Sequence, residues 1–209
     1  MKSFDNTQTG LSTKELFFIS KYSTPTKIQD LLDAMPQNFE VNGDSCMSVR
    51  KVIIEKKAHC IEAALLAALA LWVHGERPLL LDLSASNEDD DHVVALFKRN
   101  GLWGAISKSN HVVLGYRDPI YRSLRELALS YAHEYYNTKG IKTLRTYSRA
   151  YSLTVRDPKE WVTGDDAWVI AEDLCKIVHY PLMGQKQTAL LRPIDAFEKS
   201  LYRTPRHKR

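Results

Sequence analysis

A cysteine stands where an apolar helix is predicted to begin. Cys60 precedes Ile61-Glu62, and residues 63–73 contain no polar side chain. The positive end of a helix dipole and its free N–H groups favour the thiolate, which is the nucleophilic form of cysteine. Cys60 is therefore a candidate nucleophile.

The prediction for Cys60 depends on a break in the helical pattern just before it. No Gly or Pro occurs between Ser45 and Val73, so one long helix would place Cys60 in its interior as an inert side chain. The character of the sequence changes at residue 58, however, from charged to apolar on all sides. Two lysines, Lys56 and Lys57, also suit the negative end of a helix. We predict a break at 57–59 and a buried central helix over 60–74.

A thiolate that attacks an amide or ester carbonyl needs a nearby imidazole as base and a polar group that orients the imidazole. His92 begins a predicted strand, and Asn100-Gly101 marks the turn of a hairpin. Strand residues then pair when their numbers sum to about 201, which places His92 opposite roughly Ser109. The polar side chains best placed to orient His92 are Ser107, Ser109 and Asn110. Asp118 would lie at the far end of the sheet, where its N-cap role explains it equally well.

The remaining elements indicate the α+β class, with helices, then an antiparallel sheet, then helices. Ser12-Thr13-Lys14-Glu15 is a capping box, and Pro25 occupies the first turn of a second helix. Further segments are assigned as follows: helix near 47–57, strands over 78–83, 92–97 and 102–106 and more weakly 112–116, a helix from Asp118-Pro119, a loop and extended region over 138–161, and a helix from Gly164-Asp165.

The pattern over residues 45–120 resembles the transglutaminase-like superfamily, which has the papain-like fold. Four segments carry the resemblance: Ala58-His59-Cys60-Ile61-Glu62-Ala63-Ala64, the step from Gly75 to Pro78, His92-Val93-Val94-Ala95-Leu96, and Gly101-Leu102-Trp103-Gly104-Ala105-Ile106. The resemblance implies a central buried helix packed on a small antiparallel sheet, with extra helices at both ends. It also implies Cys60 as nucleophile and His92 as base.

The sequence departs from this family at the third catalytic position. The family's acid falls four residues after the hairpin tryptophan, Trp103, and that position here is Ser107. A serine cannot carry the charge that stabilises an imidazolium, whereas Asn110 could orient His92 by a neutral hydrogen bond. We assign the third role to Asn110 first, then to Ser107, then to Asp118. Trp103 is a candidate substrate-binding side chain, with core packing as the alternative.

Several neighbouring residues have two interpretations each. His59 could lower the thiol pKa or simply end the preceding helix, and Glu62 suits the first turn of a helix. The acidic residues 88–91 could attract cations or a basic substrate, or form a solvated loop. Residues 45–48 are a further candidate for an oxyanion donor.

Composition limits the classes of protein. The 209 residues fit a single domain over 1–209, with a core at about 45–120, N-terminal helices over 12–36 and a C-terminal helical region over 118–200. A formal charge of +4 makes nucleic acid an unlikely partner, even though the tail over 203–209 is basic. Three cysteines without regular spacing exclude a disulfide framework and a zinc motif. The N-terminus lacks a signal-peptide pattern and no apolar run would span a bilayer, so we expect a cytoplasmic protein without membrane contact.

The sequence thus predicts a cysteine enzyme of acyl transfer or hydrolysis that acts on a peptide, a protein or a small amide or ester. No metal or organic cofactor is indicated for this chemistry. The alternative is a catalytically weak or inactive member of the family that serves as a binding module. The sequence does not specify the substrate, the acyl acceptor or the oligomeric state.

Overall fold

A computed structural model describes residues 5–201 and has the predicted α+β architecture. The chain begins with four short helices, and the capping box at Ser12 and Glu15 forms as predicted. Pro25 lies in the first turn of its helix, behind the N-cap Thr24. The helices of this part of the chain are α1 (Asn6–Thr9), α2 (Thr13–Ser20), α3 (Pro25–Ala34), α4 (Val49–Glu55) and α5 (Cys60–Val73).

The helical pattern is interrupted before Cys60, which confirms the predicted break. Helix α4 ends at Lys56, whose φ of 53° lies in the left-handed region. The chain then runs beside residues 36–38, where the Ala58 N–H donates to the Pro36 carbonyl and the Asn38 N–H donates to the Ala58 carbonyl. These bonds hold 58 in an extended conformation, so α5 begins at Cys60.

Helix α5 is the centre of the molecule. Every side chain from Ile61 to Trp72 is buried, as the all-round apolar pattern predicts. The helix packs on the sheet through β2 and is covered by α2, α3, α4 and α7. Because α5 is packed against these elements, the position of Cys60 in the first turn of the helix is fixed.

The sheet is antiparallel and has seven strands, which makes it larger than the small sheet predicted. Its order is β4-β3-β2-β1-β5-β7, and β6 pairs with β1. The strands are β1 (Leu79–Ala85), β2 (His92–Arg99), β3 (Leu102–Ile106), β4 (Arg117–Tyr121), β5 (Leu144–Ser148), β6 (Tyr151–Ser152) and β7 (His179–Pro181).

The hairpin between β2 and β3 has the predicted register. Ala95 pairs with Ile106 and Arg99 with Leu102, so the numbers of paired residues sum to 201. Asn100 and Gly101 both have positive φ, at 51° and 83°, as the tight hairpin turn requires. The register brings the start of β2 beside the segment that follows β3.

The segment after β3 differs from the prediction at two points. Residues 112–114 form a 3-10 turn and not a strand, and Asp118 lies in strand β4 and not at a helix N-terminus. An edge strand tolerates Pro119 because its missing N–H is not needed by an inner neighbour. The following helix begins at Leu124, where the Ser123 side chain accepts from the Glu126 N–H.

The C-terminal part is not only helical, since it contributes β4 to β7 to the sheet, and the core therefore extends well past residue 120. The helix predicted from Gly164 begins at Trp168. The helices here are α6 (Leu124–Ala132), α7 (Pro158–Val162), α8 (Trp168–Lys176), α9 (Gln185–Thr188) and α10 (Ala196–Leu201). The basic tail over 203–209 lies outside the described residues.

We expect Gly104→Ala to destabilise the sheet by about 1–3 kcal/mol, as overpacking does. A Cβ at this position would lie 2.8 Å from the Arg117 carbonyl oxygen and would also meet the Phe97 ring. Strands β3 and β4 would have to separate. Urea unfolding measures the loss, and Gly184→Ala is the control because its Cβ meets only the mobile end of the Gln187 side chain. Equal stability of the two variants would contradict the close approach of β3 and β4.

Candidate active site

Cys60 is the first residue of α5 and lines a cleft of about 560 Å³, which we call the Cys60 cleft. The cleft is defined by Gln37, Cys60, Asp82, His92, Asn110 and Tyr135, among others. Because the first N–H groups of a helix have no intrahelical acceptor, they are directed toward any group bound above Cys60. The thiol is half-buried and open to the cleft.

His92 is the first residue of β2 and is 5% exposed. Its ring packs edge-on against Tyr131 and Tyr135, with centroid distances of 6.4 and 6.5 Å. These two aromatic rings restrict the rotation of the imidazole. His92 and Cys60 line the same cleft, and the His92 imidazole is one of the groups that lower the pKa of the Cys60 thiol. The structure thus brings together the predicted nucleophile and the predicted base.

The hydrogen bonds of His92 determine which of its nitrogens carries the proton. Ser107 Oγ lies 2.6 Å from the Leu114 carbonyl oxygen and 2.7 Å from His92 Nε2. A carbonyl oxygen only accepts, so the Ser107 hydroxyl proton is donated to Leu114. Ser107 Oγ must then accept from His92, which places a proton on Nε2 and leaves Nδ1 as the nitrogen that can accept a proton. This is the tautomer that a general base requires.

A second imidazole, that of His59, also contacts the thiol. His59 Nδ1 lies 3.9 Å from Cys60 Sγ, and the opposite nitrogen, Nε2, lies 2.9 Å from the Ser45 carbonyl oxygen. Two carboxylates are close to the same Nε2, Glu62 Oε1 at 3.3 Å and Glu40 Oε1 at 3.7 Å. Burial opposes the charged form, but the thiol and Glu62 outweigh it and raise the pKa of His59. His59 is therefore an imidazolium at neutral pH.

The two imidazoles together favour the thiolate. Burial by itself would raise the pKa of the Cys60 thiol, but hydrogen bonds and charges from His59 and His92 outweigh burial and lower this pKa to about 5. An unperturbed cysteine has a pKa of about 8.5. Cys60 is therefore ionised at neutral pH.

The Glu62 carboxylate forms an ion pair with the His59 imidazolium. Its side chain is fully buried and accepts hydrogen bonds from four groups: the Met47 and His59 N–H groups at 2.9 Å each, Ser45 Oγ at 3.1 Å and Asn38 Nδ2 at 3.1 Å. Burial would raise the pKa of Glu62, but His59 and these donors lower it to about 2. A buried carboxylate is stable in a protein when it is paired and hydrogen-bonded in this way.

The candidates for the third position occupy three different environments. Ser107, not the first choice Asn110, forms the hydrogen bond to His92 Nε2, while Asn110 lies on the wall of the Cys60 cleft. Asp118 is exposed on β4 and is not among the described residues that line the cleft. Trp103 also lies outside the lining, under the Lys98 ammonium, which is 4.1 Å from the ring centroid. Neither Asp118 nor Trp103 is brought to Cys60.

Three functional neighbours of Cys60 were missed by reasoning from the sequence. Gln37 and Asn38 reach the site because residues 36–38 run beside Ala58, and Asp82 reaches it from the middle of β1. The sequence does carry one signal for Asp82, which is a single acidic residue flanked by leucines within strand β1. Nothing in the sequence indicates that 36–38 approach Ala58.

We expect Ser107→Ala to slow the reaction of the site by about tenfold, the cost of one orienting hydrogen bond. The variant removes the acceptor that holds the proton on His92 Nε2. Ser107→Thr retains a hydroxyl and should restore most of the rate, and Ser109→Ala serves as the control on the same loop. The rate of Cys60 acylation by a nitroanilide, whose leaving amine must be protonated, measures all three. A Ser107→Ala rate equal to that of the unmodified protein would contradict the role of Ser107.

The chain has no match among models of known protein families or among curated proteins. Within residues 5–201, no helix is both long enough and apolar enough to cross a bilayer.

Proposed function

We propose that the protein is a transglutaminase-like cysteine enzyme with a papain-like arrangement of its site, which transfers or hydrolyses an acyl group of an amide or ester. Cys60 is the nucleophile and His92 is the general base and acid. The order of the site residues supports this proposal: a thiol at the start of a buried helix, a histidine at the start of a neighbouring strand, and a polar group after the hairpin.

One observation carries the proposal. The chain of hydrogen bonds from Leu114 through Ser107 to His92 holds a proton on Nε2, and in the proposed reaction Nδ1 is then the nitrogen that exchanges a proton with Cys60. A histidine that served only to pack the core would not require a fixed position of its proton beside an ionised thiol. Ser107 provides orientation by a neutral hydrogen bond, which takes the place of the family's acid.

In the first half of the reaction, the Cys60 thiolate attacks the carbonyl carbon and the carbonyl electrons move to oxygen. The tetrahedral intermediate collapses to a thioester as the bond to the leaving amine or alcohol breaks. The leaving group takes its proton from His92 Nδ1, which held the thiol proton. His59 remains charged throughout and does not exchange a proton.

In the second half, neutral His92 accepts a proton from water or from an acceptor amine as this nucleophile attacks the thioester carbonyl. Collapse of the second tetrahedral intermediate releases the acyl product and regenerates the Cys60 thiolate beside the His92 imidazolium. The same residues therefore serve hydrolysis and transfer, and the acceptor decides between the two.

The oxyanion has two candidate donors. The Cys60 N–H lies at the start of α5, where helical N–H groups have no intrahelical acceptor. The Gln37 amide lines the same cleft, and its buried Oε1 has no hydrogen-bond partner among the described residues. A 180° rotation of the Gln37 side-chain amide exchanges the positions of Oε1 and Nε2. The Nε2 group can then donate to an oxyanion. Ser45, from the segment suggested by the sequence, instead supports Glu62.

A chromogenic nitrophenyl ester tests the proposed function. We expect a burst of nitrophenol equal to the enzyme concentration and an acyl adduct on the peptide that contains Cys60. Cys60→Ser should abolish both, whereas Cys175→Ser, which removes the exposed thiol, should leave them unchanged. A burst that persists in Cys60→Ser, or an adduct only on Cys175, would disprove the nucleophile.

The alternative is a binding module on the same fold, and Ser107 in place of an acid is the observation that favours it. Such a module would retain its partner in the Cys60→Ala variant and would show no acyl adduct in the unmodified protein. The enzyme would lose turnover in this variant and retain its fold. Mass spectrometry of the ester reaction distinguishes the two functions.

A further inference from the structure

Asp82, a residue that lines the Cys60 cleft, has one carboxylate oxygen without a hydrogen-bond partner among the described residues. Asp82 lines the cleft from the middle of β1 and is 4% exposed. Its Oδ2 atom has two partners, His179 Nε2 at 2.9 Å and Ser84 Oγ at 3.1 Å. Its Oδ1 atom is buried without a hydrogen-bond partner among the described residues. An unsatisfied carboxylate oxygen is costly to bury, so it indicates a place for a donor from outside the chain.

The wall around Asp82 is acidic. The loop between β1 and β2 contributes Asp89, Asp90 and Asp91 to the lining, and residues 40–44 contribute Glu40 and Asp44. Asp90 and Asp91 are exposed residues of this lining. A cleft lined by charges of one sign attracts and concentrates ligands of the opposite sign.

The basic residues Lys108 and His59 of the lining, and His179 beside Asp82, are each bound to groups of the protein other than Asp82 Oδ1. Lys108 is buried, and its ammonium donates to the Leu32 and Met35 carbonyls at the end of α3. His59 forms its ion pair with Glu62. His179 contacts Oδ2 of Asp82 and leaves Oδ1 without a partner.

We propose that the acyl substrate of this enzyme carries a protonated amine that donates to Asp82 Oδ1, within the acidic wall formed by residues 89–91. This inference rests on the proposed function and specifies its substrate class. An amine held by a carboxylate remains protonated and has no lone pair, so it cannot attack the thioester. The bound ammonium therefore fixes the position of the acyl donor and is not the acyl acceptor.

Thiol reagents of different charge test the proposal, because each reaches Cys60 through the cleft. The probes are aminoethyl, trimethylammonioethyl, methyl and sulfonatoethyl methanethiosulfonate, used on a Cys175→Ser background and followed by mass spectrometry of the Cys60 peptide. We expect the aminoethyl reagent to exceed the sulfonatoethyl reagent by about tenfold or more, relative to the same ratio for glutathione. The aminoethyl reagent should also exceed the trimethylammonioethyl reagent, which has no N–H to donate.

Two variants assign the preference to residues. Asp82→Asn should lower the aminoethyl advantage by at least about threefold, as expected for the loss of one nearby charge. Asp90→Asn, an exposed position whose side chain can change without altering the core, should lower it by a smaller factor. The control is Asp30→Asn on the exposed face of α3, which changes the net charge equally and should change nothing. Circular dichroism verifies that each variant is folded.

The outcomes separate this inference from the proposed function. If the neutral methyl reagent modifies Cys60 no faster than glutathione at pH 6.5, the activated thiolate is absent and the proposed function fails. If the methyl reagent reacts rapidly but the charged reagents show no preference, the ammonium site alone is disproved. A preference that survives both Asp82→Asn and Asp90→Asn would also disprove it. An equal advantage for the trimethylammonioethyl reagent would exclude the hydrogen bond to Asp82 Oδ1.

Discussion

Replacement of His92 by alanine is expected to slow acylation of the protein by a nitroanilide, whose leaving amine must be protonated, by a factor of about 10²–10⁴, the usual contribution of a general acid–base group. The variant loses the group that exchanges a proton with the thiol and the leaving group. His59 cannot replace it, because its Nε2 is hydrogen-bonded to the Ser45 carbonyl and its positive charge is paired with the Glu62 carboxylate. The rate of nitroaniline release at saturating nitroanilide measures the loss.

A comparison with His59→Gln separates the roles of the two imidazoles. Removal of the His59 charge raises the pKa of the Cys60 thiol, so the thiolate fraction falls at neutral pH and returns as the pH rises. The His59→Gln defect should therefore disappear at high pH, whereas the His92→Ala defect should persist. His111→Ala, an exposed histidine of the cleft, is the control. Recovery of His92→Ala at high pH would show that His92 acts only through the thiol pKa.

Glu62→Gln is expected to destabilise the fold by about 3–5 kcal/mol, the range found when one partner of a buried ion pair is removed. The glutamine amide would point a donor toward a group of donors that includes the His59 and Met47 N–H groups and Asn38 Nδ2. It would also leave the buried His59 imidazolium without its closest carboxylate. Urea unfolding at neutral pH measures the loss.

The pH dependence of this variant has a definite sign. The pKa of Glu62 is lowered from 4.5 to about 2 in the folded protein, so its contribution to stability is complete above about pH 4.5 and is lost as the pH falls toward 2. The difference in unfolding free energy between the unmodified protein and Glu62→Gln should therefore shrink over that range. Glu55→Gln, at an exposed position of α4, should remain within about 0.5 kcal/mol of the unmodified protein. A constant difference from pH 7 to pH 3 would contradict the lowered pKa.

The parts of the site that follow local rules could be predicted from the sequence. The change from charged to apolar residues at position 58 identified the start of α5, and Asn100-Gly101 fixed the register of β2 and β3. These signals act over a few residues, where turn geometry and helix dipoles dominate. They were sufficient to place Cys60 and His92 in one site.

The errors arose where two local signals compete. Asp118-Pro119 satisfies the rule for a helix start, but the pairing of β4 with β3 makes this segment a strand. Ser123 and Glu126 form the actual helix start, with the spacing of a capping box. The choice between Ser107 and Asn110 likewise depends on where the chain leaves β3, and the strand ends at Ile106, so Ser107 is the first residue beyond it.

The hydrogen bonds and ion pairs around Cys60 join residues that are far apart in the sequence. Glu62 is satisfied by Asn38 and Ser45, which lie 24 and 17 positions earlier in the chain. Asp82 meets His179, which is 97 positions later and belongs to a strand that the sequence did not indicate. Such contacts are set by the order of the strands, which no short-range pattern specifies.

A titration of the Cys60 thiolate tests the central claim most directly. The ultraviolet absorbance of the thiolate is followed against pH in the unmodified protein, and the curve of Cys60→Ser is subtracted to remove the other two cysteines. The lowered pKa of Cys60 predicts a transition near pH 5, with the thiolate fully formed at neutral pH. A transition at about pH 8.5, the value of an unperturbed thiol, would contradict the claim that His59 and His92 activate Cys60.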